Sequence, residues 1–361
     1  MIWLTWRQFR VQAAVIGTAL VFVAVVLIAT GPHLVNLYNQ YLSQCALLHS
    51  CGNEPDPVTS AYVPIQVALA GILLVMPALI GSFWGAPLIA RELETGTYRL
   101  GWTQSITRAN WLWAKIAIVG LASALVGGLL TLMGTWWFTP IERANADQFN
   151  PVFFSLHGLV PVGYALFGFA LGLTLGVLIR RILPAMASTL LGFAVIRIIV
   201  TVWVRPSLLP AKTETLRLTA ANASNVGVSL SPQGITVDPQ APQLSNAWVY
   251  SARLVNHAGQ APSSHFLNTA CASLLKYKPK PFNVRQTPSG RVAISANPFG
   301  KGASQAFHQC SLTVAAHFNE VVTLQPSNRF WPLQILETLL FVALSALLVG
   351  LSVWWLRHRV A

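Results

Sequence analysis

Arg91-Glu92-Leu93-Glu94-Thr95-Gly96-Thr97-Tyr98-Arg99, continued by Gln104-Ser105-Ile106-Thr107-Arg108 and reaching Lys115, is a charged interruption between two apolar runs. Each run has the roughly 20 residues that cross a bilayer, so the polar stretch must surface at one face of the membrane. Two carboxylates followed by Gly96 suit a helix that leaves the bilayer and stops at a left-handed cap. Thr103, Ser105 and Thr107 offer side-chain oxygens to cap a following helix, whose Trp111, Trp113 and Lys115 fall at interfacial depth. The stretch is expected to form a short rigid elbow at the water boundary. The alternative is an ordinary solvated loop between two spans.

Working outward, the 361-residue chain is 54% hydrophobic and 9% charged, where soluble domains carry about 25% charged residues. This composition belongs to a membrane protein. The formal net charge of +13 does not signal a nucleic-acid binder, because the basic residues are dispersed and form no stripe interleaved with aromatics.

Residues 1–10 mix Trp3, Trp6 and Phe9 with Arg7 and Arg10, which suits a short helix lying at headgroup level. Residues 11–204 then hold five spans, at 11–30, 62–89, 116–138, 158–179 and 182–204, with the polar elbow at 91–115. Pro64, Pro77 and Pro87 are expected to kink the second span. In the fourth, Gly168, Gly172 and Gly176 recur every four residues, so one helix face is small enough for close helix packing. Residues 205–330 are polar and rich in Ser, Asn, Gln and Pro, with strand-like segments at 216–219, 234–237 and 292–294. Residues 331–361 supply a sixth span and a basic tail. The fold class is therefore an all-α polytopic membrane protein with six transmembrane helices, plus a β-containing domain between the fifth and sixth.

Basic residues of short loops are retained on the cytoplasmic side. Arg7, Arg10, Arg91, Arg99, Arg108, Lys115, Arg180, Arg181, Arg357 and Arg359 collect on one side, against Arg143 alone on the short loops of the other. Both termini and the elbow are thus expected in the cytoplasm and residues 205–330 outside. Cys45, Cys51, Cys271 and Cys310 all fall on the outer side of this topology, where disulfides persist. Pairing Cys45 with Cys51 and Cys271 with Cys310 is the simplest of three connectivities.

Arg197 is the basic residue deep within a span, and an isolated charge there demands a partner or water. At about 1.5 Å per residue, Arg197 and Glu337 both lie roughly 9–11 Å below the outer surface, which suggests an intramembrane ion pair. His308, His317 and Glu320 match no familiar zinc spacing. Residues 295–302, SANPFGKG, lack the opening glycine and the Ser/Thr of a phosphate loop. No nucleophile elbow or dinucleotide fingerprint occurs either, so no catalytic residue, metal or cofactor is expected in this chain. Polar residues within the spans, among them Gln66, Ser123, Thr131, Tyr164 and Thr174, are read as hydrogen-bonding between helices or as lining a path.

The pattern Arg91-Glu92-x-Glu94-x-Gly96-Thr97, with Arg108, Trp111 and Lys115, resembles the loop after the second span in permease subunits of type-2 ABC transporters. Residues 329–337, RFWPLQILE, with Phe83-Trp84-Gly85-Ala86-Pro87 and Pro161-Val162-Gly163-Tyr164, look like the actinobacterial branch of that class. The resemblance implies a homodimeric permease in the bacterial cytoplasmic membrane, resting on two copies of a separate ATPase that binds ATP and Mg. It also implies export of a hydrophobic or amphipathic compound, as in multidrug efflux or the export of antibiotics or envelope components. Arg91, Glu92, Glu94, Gly96, Tyr98, Arg99 and Arg108 would then contact or position the ATPase. The competing class is a membrane sensor or scaffold whose outer domain binds a ligand and whose elbow docks a signalling protein.

Overall fold

The computed structural model describes residues 2–48, 58, 61–96, 108–145, 149–220, 222–223, 226–231, 234–239, 247–277, 284–286, 292–294 and 303–359. The chain divides into two compact units, Met1–Pro210 with Asn328–Ala361, and Ala211–Ser327. Among the described residues, the first unit contains six helices long and apolar enough to cross a membrane: Ala13–Gln44, Val63–Thr95, Leu112–Arg143, Val160–Ile179, Ile182–Ser207 and Ser327–His358.

The first span is part of one uninterrupted helix, Ile2–Leu48. This corrects two expectations, since residues 2–10 form no separate element and the first helix does not end near residue 30 but runs on to Leu48. Packing on the third span, itself part of the helix Arg108–Asn145, explains the extension. Trp137 Nε1 donates to Thr30 Oγ1 at 2.9 Å, Gly31 lies under the Trp136 ring, and Leu27 and Leu34 are buried. Hydropathy locates where lipid ends, whereas packing can carry a helix further, and Leu37, Tyr38 and Tyr41 continue the contact with the core beyond Leu34.

The second span is a composite of Val63–Ile80, a π-helical turn Gly81–Gly85, and Ala86–Thr95. The wide turn closes between the Ala86 N–H and the Gly81 carbonyl. It opens just after Pro77, which has no N–H to donate to the helix ladder. A second π turn, Val200–Val204, interrupts the fifth span, whose Arg205 N–H donates to Val200 O. The helix then runs on to Ser207, past the boundary at 204 that hydropathy indicated. The fourth span is the most enclosed of the six, with 72% of its apolar window buried. A short helix, Pro151–Leu156, precedes it.

The second unit is built around an antiparallel sheet of order β1-β7-β4, from Lys212–Arg217, Asn319–Gln325 and Trp248–Val255. Its edges pair through the central β7, which sets Leu216 and Leu254 opposite Glu320. A hairpin of β2 (Val226–Ser231) and β3 (Gly234–Pro239) and a small pair of β5 (Val284–Gln286) and β6 (Val292–Ile294) complete the strands described. Cys271, at the end of the helix Ser264–Ala270, is disulfide-bonded to Cys310 on the helix Ala303–His317. Both sulfurs sit in a core with Leu254, Leu267, Leu274 and Val314. The unit's limits at 211 and 327 fall inside the expected 205–330, because Arg205–Ser207 belongs to the fifth span and Asn328 onward to the sixth.

Candidate functional site: an elbow, a glycine seam and a buried polar cluster

At one end of the bundle the second span stops at Gly96, whose φ of 72° is the left-handed cap that the sequence indicated. The two elbow carboxylates are both engaged within the chain. Glu92 Oε1 accepts from Lys115 Nζ at 2.5 Å, with the lysine side chain almost fully buried, which ties the second span to the third. Glu94 Oε2 accepts the Ile182 N–H at 3.0 Å. This satisfies one of the free donors at the start of the fifth span, where Arg181 supplies no side-chain cap. A carboxylate there also complements the positive end of the helix dipole. Arg91 is exposed on the same turn. Tyr98 and Arg99 lie outside the described residues, and Arg108 opens the third helix with its side chain outside them.

From the elbow, a seam of glycines joins the second and fourth spans. A Cβ on Gly168 would stand 2.2 Å from Pro77 O, one on Gly172 2.0 Å from Gly81 O, and one on Gly176 2.4 Å from Ala86 O. The facing glycines are as constrained, since a Cβ on Gly81 would lie 2.2 Å from Gly168 O and one on Gly85 2.5 Å from Phe169 O. The backbones touch, and the π turn Gly81–Gly85 sits in the middle of the contact. Only hydrogen side chains permit that approach.

At the other end of the bundle lies a buried polar cluster. Arg205 forms a bidentate pair with Glu337, Nε to Oε2 at 2.7 Å and Nη2 to Oε1 at 2.9 Å, and both side chains are almost wholly buried. Tyr164 donates its hydroxyl to Glu337 Oε1 at 2.5 Å. Arg205 Nη2 also donates to Ser155 Oγ and to Tyr164 Oη, both at 3.1 Å, while its guanidinium lies 4.4 Å from the Phe154 ring centroid. One helical turn earlier on the sixth span, Gln334 Oε1 accepts the Leu159 and Val160 N–H groups at 3.2 Å and its Nε2 donates to Phe154 O at 2.8 Å. Gln334 thereby caps the fourth span. Nearby, His157 and Glu142 meet at 2.9 Å.

The expected pair between Arg197 and Glu337 is corrected by this geometry. Glu337 is held by Arg205, while Arg197 donates from Nη1 to Leu74 O at 2.8 Å and lies 4.4 Å from the Tyr164 ring centroid. The depth count failed at the second π turn. An extra residue per turn rotates everything after it by about 100°, and here it carries Arg205 from the supposed loop into the bundle. Arg205 and Gln334 were therefore missed. Gln334 left a signal, three residues before Glu337 and so on the same helix face.

Among the other residues singled out, Cys271 and Cys310 are joined, whereas Cys51 and the side chain of Cys45, and with them the expected second pair, lie outside the described residues. His308 and His317 share one helix and Glu320 lies on β7; no group of three or more metal-ligating side chains occurs among the described residues.

Six spanning helices tied at one end by ion pairing and capping, with a polar cluster inside the other, define a multi-pass integral membrane protein. The profile of the family described as ABC-2 membrane transporter related matches residues 17–205, just over half of the chain, and the chain belongs to that family. It is thus a transporter permease subunit, whose family implies an ABC ATPase as partner and the membrane as its setting. No curated protein and no solved structure matches the chain.

Proposed function

We propose that the chain is the membrane subunit of an ATP-driven exporter that moves a hydrophobic or amphipathic compound out of a bacterial cell. A separate ATPase, present in two copies, holds ATP and Mg and carries out all catalysis; a second copy of this chain completes the translocation path. Both termini and the elbow face the cytoplasm, and Ala211–Ser327 lies outside, in keeping with the bias of basic residues on the short loops.

The observation that supports this reading best is the pair of internal ties at the elbow. Because Glu92 binds Lys115 and Glu94 caps Ile182, a push on the segment after Gly96 reaches the second, third and fifth spans together. The seam of glycine contacts passes it on to the fourth. Glu94 thus serves as a positioning residue, with Arg91 exposed beside it as a surface for the ATPase.

The test is co-reconstitution of the permease with the ATPase that co-purifies with it. Wild-type permease should raise ATP turnover and support export, whereas Glu94→Gln should keep the complex assembled and lower transport per ATP several-fold. If no ATPase co-purifies, or if Glu94→Gln leaves coupling unchanged, the assignment of the elbow fails. Retention of a signalling protein in place of an ATPase would favour the sensor class.

A further inference from the structure

Arg197 lies about 10 Å inside the hydropathy boundary at residue 204, at about 1.5 Å per residue, and so within the apolar slab. Its guanidinium is fixed on two sides, by the Leu74 carbonyl at 2.8 Å and the Tyr164 ring at 4.4 Å. Its Nε and Nη2 have no acceptor among the described residues, and the residue is only half-buried, so part of the side chain is open to the surface of the subunit. On its own side of the helix the exposed neighbours are apolar, Ala194 one turn and Leu190 two turns before Arg197.

Charge counting sharpens the point. Arg197 and Arg205 share one carboxylate, Glu337, and both of its oxygens are occupied by Arg205 and Tyr164. The cluster therefore carries a net positive charge at a depth where an unbalanced charge is costly. Among the described residues, a second copy of the chain offers no spare carboxylate at this depth. Among the described acidic residues, Glu337 is the one that lies more than one turn inside a span, and in each copy it is committed to its own Arg205. The counter-charge must come from something that is anionic and also at home among acyl chains.

We propose that Arg197 is a binding site for the acidic headgroup of an amphiphile, a phosphate or carboxylate on one or more hydrocarbon chains. The open edge of the guanidinium donates two parallel hydrogen bonds to the headgroup oxygens, and the chains lie along the apolar face of the fifth span. Tyr164 and Leu74 hold the guanidinium in place, so binding does not require the Arg205 pair to break. The site deepens the transport reading by giving the cargo a chemical class. Its binding assay needs neither ATPase nor export, so the two ideas fail separately.

The test is native mass spectrometry and thermal unfolding of the full-length protein in neutral detergent, titrated with phosphatidylglycerol, phosphatidylcholine or inorganic phosphate. Wild type should retain phosphatidylglycerol at least ten-fold more tightly than phosphatidylcholine. Arg197→Gln should bring the two to near parity, Arg197→Lys should keep part of the preference, and Arg253→Gln, which removes an exposed charge in the second unit, should keep all of it. Equal retention of both lipids by wild type, or a preference that survives Arg197→Gln, overturns the proposal. A stabilisation by inorganic phosphate alone that matches phosphatidylglycerol also overturns it, because the site would then be a small-anion site.

Discussion

Replacing Gly172 with alanine would set a methyl carbon 2.0 Å from the Gly81 carbonyl oxygen, 2.7 Å from its carbon and 2.9 Å from Ala86 N. Ordinary contact begins near 3.4 Å, so the second and fourth spans must part by about 1.4 Å along that line. All three obstructing atoms are backbone, and no side chain can swing aside to absorb the clash. Overpacking costs typically 1–3 kcal/mol, and a rigid obstruction belongs at the upper end, against which better helix propensity returns about 1 kcal/mol. The net expectation is a loss of about 2 kcal/mol. Gly71→Ala, on the facing second span, is the matched control, since its Cβ would meet nothing within 4 Å, and it should be neutral or stabilise by up to about 1 kcal/mol. Reversible unfolding of the purified protein by sodium dodecyl sulfate in mixed micelles reads both. If Gly172→Ala proves as stable as Gly71→Ala, the backbones of the two spans do not meet at this seam.

Arg205→Ala would strand Glu337 in the bundle and should cost about 3–5 kcal/mol in the same assay, whereas the double variant Arg205→Met, Glu337→Leu should recover much of that loss. Burial of Glu320 pushes its carboxyl up to about 7, so the folded state holds the proton more tightly than the unfolded chain does. Stability from this group is complete below about pH 4.5 and is lost as the pH rises through 7; thermal unfolding from pH 4 to 8 should show this fall, and Glu320→Gln should flatten it. Removing the Cys271–Cys310 bridge by a double Cys→Ser substitution opens a loop of 39-residue separation. The chain-entropy estimate is a loss of about 4 kcal/mol, checked by proteolysis of the second unit within the full chain.

Hydropathy alone set the number of spans, because twenty apolar residues have few other uses, and it put the polar elbow at one face of the bundle. The left-handed cap at Gly96 was legible for a similarly local reason, since a residue without Cβ after a charged helical turn is the ordinary way to end one. The spacing of Gly168, Gly172 and Gly176 announced a close contact without naming its partner. Tertiary structure chose that partner, the second span, by bringing a π turn to the contact so that two backbones could meet.

Other decisions belonged wholly to packing. Glu92 and Glu94 look in sequence like a surface handle, and they became internal ties because Lys115 and the uncapped start of the fifth span came within reach. Likewise Arg197 and Arg205 are two arginines eight residues apart, and nothing local says which of them Glu337 will bind. A single π turn between them settled it, since one residue more in a turn rotates the following side chain to a different face of the helix. Composition is a sum over residues and survives such a rotation, whereas a pairing depends on direction, and direction exists only once the helices have packed.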